Sequence, residues 1–171
     1  INGLVGSISQ FLSYIALVEG GITGVIAANL YKPLVSNDKE KLNSILVTAQ
    51  SFYRKIALVF IISSFGIAFI YPVIVKTGYD YWYVAILTIV LSFGLLLEYA
   101  FSLTLTTLLN ADKKVYIISF TKIILTIGNI ALIYLITKIY PDIIVLKLAS
   151  SLLFVLQPVI YILYVKHHYQ I

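Results

Sequence analysis

Apolar residues run along this chain in five long blocks, each broken by a short polar stretch. Leu4 to Tyr31 contains one charge, Glu19, and Ile56 to Val75 contains none. Tyr81 to Leu109 carries only Glu98, Val115 to Thr137 only Lys122, and Ile143 to Val165 only Lys147. Each block matches or exceeds the roughly 20 residues a helix needs to cross a bilayer. The pattern predicts an all-α fold, a polytopic membrane helix bundle of five transmembrane helices over about 4–31, 52–75, 81–109, 114–137 and 142–165. A membrane barrel would instead show segments of about ten residues with alternating polarity. Between the first two blocks, Ser36-Asn37-Asp38 is a helix-start signal. Leu42, Ile45, Leu46 and Ala49 then share one apolar face, so an amphipathic lead-in is expected to run into the second span.

Composition agrees with that pattern. Of 171 residues, 61% are hydrophobic and 11% charged, against roughly half and a quarter in a soluble domain. There is no Cys, which removes disulfides, thiolate metal sites and Cys nucleophiles, and there is no Met. The first block lacks a basic leader and is too long for a signal peptide. The chain is therefore expected to be a fragment, residues 1–171 forming a single transmembrane domain.

The net charge of +5 acts through its placement. Lys32, Lys39, Lys41, Arg54, Lys55, Lys113, Lys114 and Lys166 fall on one side of the predicted bundle, eight of the twelve basic residues. The other side has Lys76 and Lys138, each offset by an aspartate, Asp80 and Asp142. Basic loops stay in the cytoplasm, so loops 32–55 and 110–114 are expected there, with the residue 1 end external. The basic residues are dispersed, and no nucleic-acid motif accompanies them.

Charges within a span are costly and usually face a bundle interior or a cavity. At 1.5 Å per residue, Glu19 and Glu98 lie about 16 Å from the basic side and Lys122 about 12 Å. These three are expected to converge near mid-membrane. Lys147 sits about one turn from the opposite end and can snorkel to the interface. Gly94, Glu98, Ser102 and Thr106 form one polar stripe, and Ser119, Lys122, Thr126 and Asn129 another. Gly20, Gly24 and Ala28 form a small-residue ridge that suits close helix packing. Pro158 and Pro72 are expected to bend their helices. The candidate cavity or ion-coupling residues are Glu19, Glu98, Lys122, Asn129 and Lys147. No spacing suggests a catalytic triad, a cofactor or a metal site.

The stretch ALVEGGITGVIAANLYKPLVSNDKEKLNSILVTAQSFYRKIALV (16–59) resembles the second and third helices of bacterial polysaccharide transporters. These are O-antigen-type, lipid-linked oligosaccharide flippases of the multidrug/oligosaccharidyl-lipid/polysaccharide exporter superfamily. A second stretch, LTTLLNADKKVYIISFTKIILTIGNIALIYLI (105–136), is similar to the junction between that family's fourth and fifth helices, with Asn110 at a frequent Gln position. The resemblance implies that the five helices are spans two to six of a transporter with 12 to 14, most of one six-helix lobe, with a second lobe beyond this chain.

It also implies a function, a flippase that moves a lipid-linked oligosaccharide repeat unit across the bacterial cytoplasmic membrane for O-antigen, capsule or exopolysaccharide synthesis. The partners would be that substrate, membrane lipids and a coupling H⁺ or Na⁺. Lys122 and Lys147 would attract the pyrophosphate or acidic sugars, and Glu98 and Glu19 would bind the ion. A drug or cation antiporter or a lipid II flippase of the same superfamily remains open. So does a membrane-embedded polysaccharide polymerase or glycosyltransferase, although connections of about five residues leave little room for catalytic loops, and a non-enzyme is the expectation.

Overall fold

The computed structural model describes residues 2–16, 20–75 and 78–169. Among them the chain is all helix and turn, with no strand. Helices α1 (Asn2–Ala16) and α2 (Gly20–Ser36) come first, followed by α3 (Lys39–Ile74). Next is α4 (Tyr81–Leu97), which passes through a π-helical turn, Glu98–Ser102, directly into α5 (Leu103–Ala111). Helix α6 (Val115–Ile139) leads to α7 (Ile143–Phe154) and α8 (Leu156–Tyr169), which are consecutive except for Val155.

Among the described residues, four helical rods are long and apolar enough to cross a membrane: 39–74, 81–111, 115–139 and 143–169. Their outward faces carry large apolar side chains such as Ile62, Val73, Ile127 and Leu163, each more than 60% exposed. A soluble protein does not show so much contiguous apolar surface, whereas lipid covers it. The first expected span is described in two parts. Its described residues form two helices of 15 and 17 residues, each below the usual span length, and residues 17–19 between them lie outside the described residues.

Local chemistry explains the helix ends. Asp38 caps α3 by accepting a hydrogen bond from the Lys41 amide at 3.0 Å, which supplies a partner to one of the free first-turn N–H groups. Leu42, Leu46 and Ala49 are buried, so the amphipathic lead-in and the second span are one 36-residue helix. Asp80 and Asp142 cap α4 and α7 in the same way. At the other ends, α2 closes with Asn37 at φ 55° and α5 with Lys113 at φ 58°. Each left-handed residue lets the next amide reach back five residues, Asp38 to Pro33 and Lys114 to Leu109, in the pattern of a Schellman cap.

The buried residues form two cores along α3. One joins Leu4, Ile8 and Leu12 of α1 to Phe60 and Tyr71 of α3, Val84 and Leu87 of α4, and Tyr99. The other, toward the Lys39 end of α3, joins Leu30 of α2 to Leu42 and Leu46 of α3, Leu108 and Leu109 of α5, and Tyr161 and Val165 of α8. Between the cores, the fully buried Tyr53 hydroxyl meets Thr23 Oγ1 at 2.9 Å and Thr107 Oγ1 at 3.4 Å. That bond pair ties α2, α3 and α5 together.

Candidate functional site: a charged recess at mid-bundle

A recess of about 450 Å³ opens between the α4–α5 rod, α6 and the α7–α8 rod. Gly94, Glu98 and Ser102 line one wall, Lys122 and Thr126 a second, and Lys147, Ser151 and Gln157 a third. The walls come close at Gly94, where a Cβ would lie 3.4 Å from Ser151 Oγ, an ordinary contact. Positions four apart drift around an α-helix, but a π turn holds more residues. The π turn at Glu98–Ser102 thus keeps Gly94, Glu98 and Ser102 on the same wall.

Glu98, Lys122 and Lys147 therefore share one recess. Glu98 and Lys147 are half-buried and Lys122 is exposed. Among the described residues no contact within 4.0 Å joins Glu98 to either lysine. With two ammonium groups to one carboxylate, the recess has a net positive charge. Such charges in a low-dielectric surrounding act strongly on a mobile ion or headgroup.

The sequence stripes are only partly realised. Thr106 does not line the recess and instead donates to the Leu103 carbonyl at 3.1 Å. Ser119 is exposed about one turn along α6 from Lys122, outside the recess. Asn129 is half-buried outside the recess, with its Oδ1 unpartnered. Glu19 lies outside the described residues. Lys147, expected to snorkel apart from the others, instead joins them. In the expected glycine ridge, Gly20 opens α2 while Gly24 and Ala28 point outward, and a Cβ on Gly24 would meet nothing within 4 Å. The packed face of α2 is instead the one that carries Ile26, Leu30 and Leu34.

On the α7–α8 wall, Ser150, Ser151, Phe154 and Gln157 are not among the expected site residues. Their signal was present in the spacing. Lys147, Ser151, Phe154 and Pro158 recur at three- and four-residue steps, one face of a helix.

A second polar cluster stands at the basic end of the bundle. Lys114 Nζ lies 2.6 Å from Asp112 Oδ2, and the Tyr169 hydroxyl donates to the same oxygen. Lys114 also donates to the Tyr169 hydroxyl at 3.3 Å and sits 4.7 Å from the centre of its ring. Burial pushes the Asp112 carboxyl upward, but the hydrogen bonds from Lys114 and Tyr169 outweigh it, and the group ends below the ordinary aspartate value. The cluster fastens the last turn of α8 to the α5–α6 corner. Among the described residues no three His, Asp or Glu side chains gather as a metal ion would need. No protein-family model, curated protein or solved structure matches the chain.

Proposed function

We propose that this chain is part of a flippase for a lipid-linked oligosaccharide, and that the recess is the polar half of its pathway. The observation that carries the reading is the pair of lysines and the carboxylate in a hydroxyl-lined recess midway along apolar rods. An undecaprenyl-pyrophosphate-linked glycan is anionic at the phosphates, polar in the sugars and greasy in the tail. Such a cargo needs a cationic, hydroxyl-rich groove open sideways to lipid. Lys122 and Lys147 would attract the phosphates or acidic sugars, and Glu98 would carry a coupling H⁺ or Na⁺.

The two short helices at the start of the chain support the five-span reading. Helix α1 packs on the half of α3 nearest Ile74, and α2 on the half nearest Lys39. Stacked in that order, they have the course of one span. On this reading the bundle is most of one lobe, the basic end faces the cytoplasm, and alternating access comes from motion against a second lobe. The net positive recess favours an anionic cargo over the cationic drugs of an antiporter. A lipid II flippase shares the phosphate chemistry, and the intermediate that accumulates in a deletion strain separates the two. The short connections around Asp80 and Asp142 argue against a polymerase or glycosyltransferase site.

Complementation tests the proposal. A deletion strain would receive the full-length protein with Lys122→Ala, Lys147→Ala or Glu98→Gln, expressed to wild-type level, and surface polysaccharide would be measured. Export is expected to fall at least tenfold in the double lysine variant. Wild-type export in all three variants and in the double would refute the role of the recess.

A further inference from the structure

Two of the three rods that enclose the recess are interrupted, and at the same height. Gly94 on α4 faces Ser151 on α7, and both helices run in the same direction through the bundle. Four residues further along each lie Glu98, where the π turn begins, and Val155, where α7 ends and α8 starts after one residue. The π turn shifts the bonding register by one residue, so that the Leu103 amide reaches back to the Glu98 carbonyl. In the other rod, the Val155 amide turns to Leu152 at 3.2 Å, and Pro158 has no N–H to offer the Phe154 carbonyl. Breaks of both kinds are where helices kink or bend.

The packing changes at that height too. Val84 and Leu87 of α4 belong to the core with α1. Leu108 and Leu109 of α5 and Tyr161 and Val165 of α8 belong to the core with α2. Helix α7 buries none of its residues fully and packs on α4 and α6, with Ser151 against Gly94 and Leu153 against Gly128. Among the described helices only α3 runs unbroken through both cores, and its side chains reach the junction: Phe60 packs on the Tyr99 ring at 5.4 Å, and Gln50 Nε2 donates to the Ala100 carbonyl, within the π turn, at 2.5 Å.

We propose that the breaks at Glu98–Ser102 and Val155–Pro158 form one hinge across the recess, braced by Gln50, about which α7 and the adjoining part of α4 pivot against α5 and α8. Opening and closing would change the spacing between Lys147, which rides on α7, and Glu98 at the pivot. The hinge concerns the recess itself and not its cargo, so a failed complementation test leaves it standing.

The chain has no cysteine, which suits spin labelling in the full-length protein with any other cysteine replaced. One label pair spans the moving half, Leu148→Cys on α7 and Ile62→Cys on α3. The reference pair spans the other half, Leu163→Cys on α8 and Val47→Cys on α3. All four side chains are exposed. Pulsed dipolar spectroscopy in lipid nanodiscs is expected to show a distance distribution at least twofold wider for the first pair. Pro158→Ala restores an N–H and should narrow that distribution to the width of the reference pair. Gln50→Ala removes the brace and should widen it further, and the reference pair should stay unchanged in both. Equal widths in the unmodified protein, or a first pair that answers to neither or only one substitution, would overturn the hinge.

Discussion

Asp112 offers the sharpest test of how the bundle is held at its basic end. Its Oδ2 takes a hydrogen bond from Tyr169 and sits 2.6 Å from Lys114 Nζ, while the Lys114 and Asp112 side chains keep only 19% and 28% of their exposure. A hydrogen bond to a charged group contributes about 1.5–3 kcal/mol, but two that share one oxygen near water do not add in full. Asp112→Ala should therefore cost about 2 kcal/mol, at most a ~30-fold change in the folding equilibrium. Tyr169→Phe, which spares the ion pair, should cost about 1 kcal/mol. Reversible unfolding in mixed micelles would measure both. Folding lowers the Asp112 pKa, so its contribution is complete above the unfolded aspartate value of about 4 and is lost as pH falls through the folded value. The gap between wild type and Asp112→Ala should therefore be constant from about pH 7 to 5 and shrink below about 4. A gap under ~0.3 kcal/mol at neutral pH, well below the range for a charged hydrogen bond, would refute the reasoning. So would a gap that persists undiminished into acid.

Other substitutions probe the remaining supports. Lys113 holds a left-handed φ of 58° that glycine adopts freely, so Lys113→Gly should raise stability by about 0.5–1 kcal/mol in thermal unfolding. Tyr53→Phe deletes a buried hydroxyl between Thr23 and Thr107 and should lower stability by about 1 kcal/mol in the same assay. Gly94→Ala puts its Cβ 3.4 Å from Ser151 Oγ, an ordinary contact. It should leave the melting temperature level or raise it through better helix propensity, whereas Gly94→Phe should fill the recess and abolish export in the complementation assay.

Much of the fold was legible because apolar run length is a strong signal. The last three rods depart from the expected blocks 81–109, 114–137 and 142–165 by a few residues at most. The second begins at Lys39, where the Asp38 cap and the Leu42 face had marked a lead-in. Two features had no sequence marker. Nothing in EYAFS forbids an ordinary α turn; the π turn is held from outside, in part by Gln50 fifty residues earlier. The outward tilt of Gly24 and Ala28 follows from Leu30 and Leu34 claiming the buried side of α2, a choice made by tertiary packing that small-residue spacing alone does not reveal.

The misplacement of Lys147 has a geometric cause. A depth counted from the start of its own helix assumes that all helices begin at one plane. The contact between Gly94 and Ser151 shows that they do not. Gly94 is about 20 Å along α4 and Ser151 about 12 Å along α7, at 1.5 Å per residue. Helix α7 thus begins about 8 Å deeper than α4, and Lys147 lies one turn above Ser151 instead of at the rim. The same offset brings Val155 level with Glu98, so it sets the charge of the recess and the alignment of its two breaks together. The approach of Gly94 to Ser151 therefore bears both on what the site can attract and on where its walls can bend.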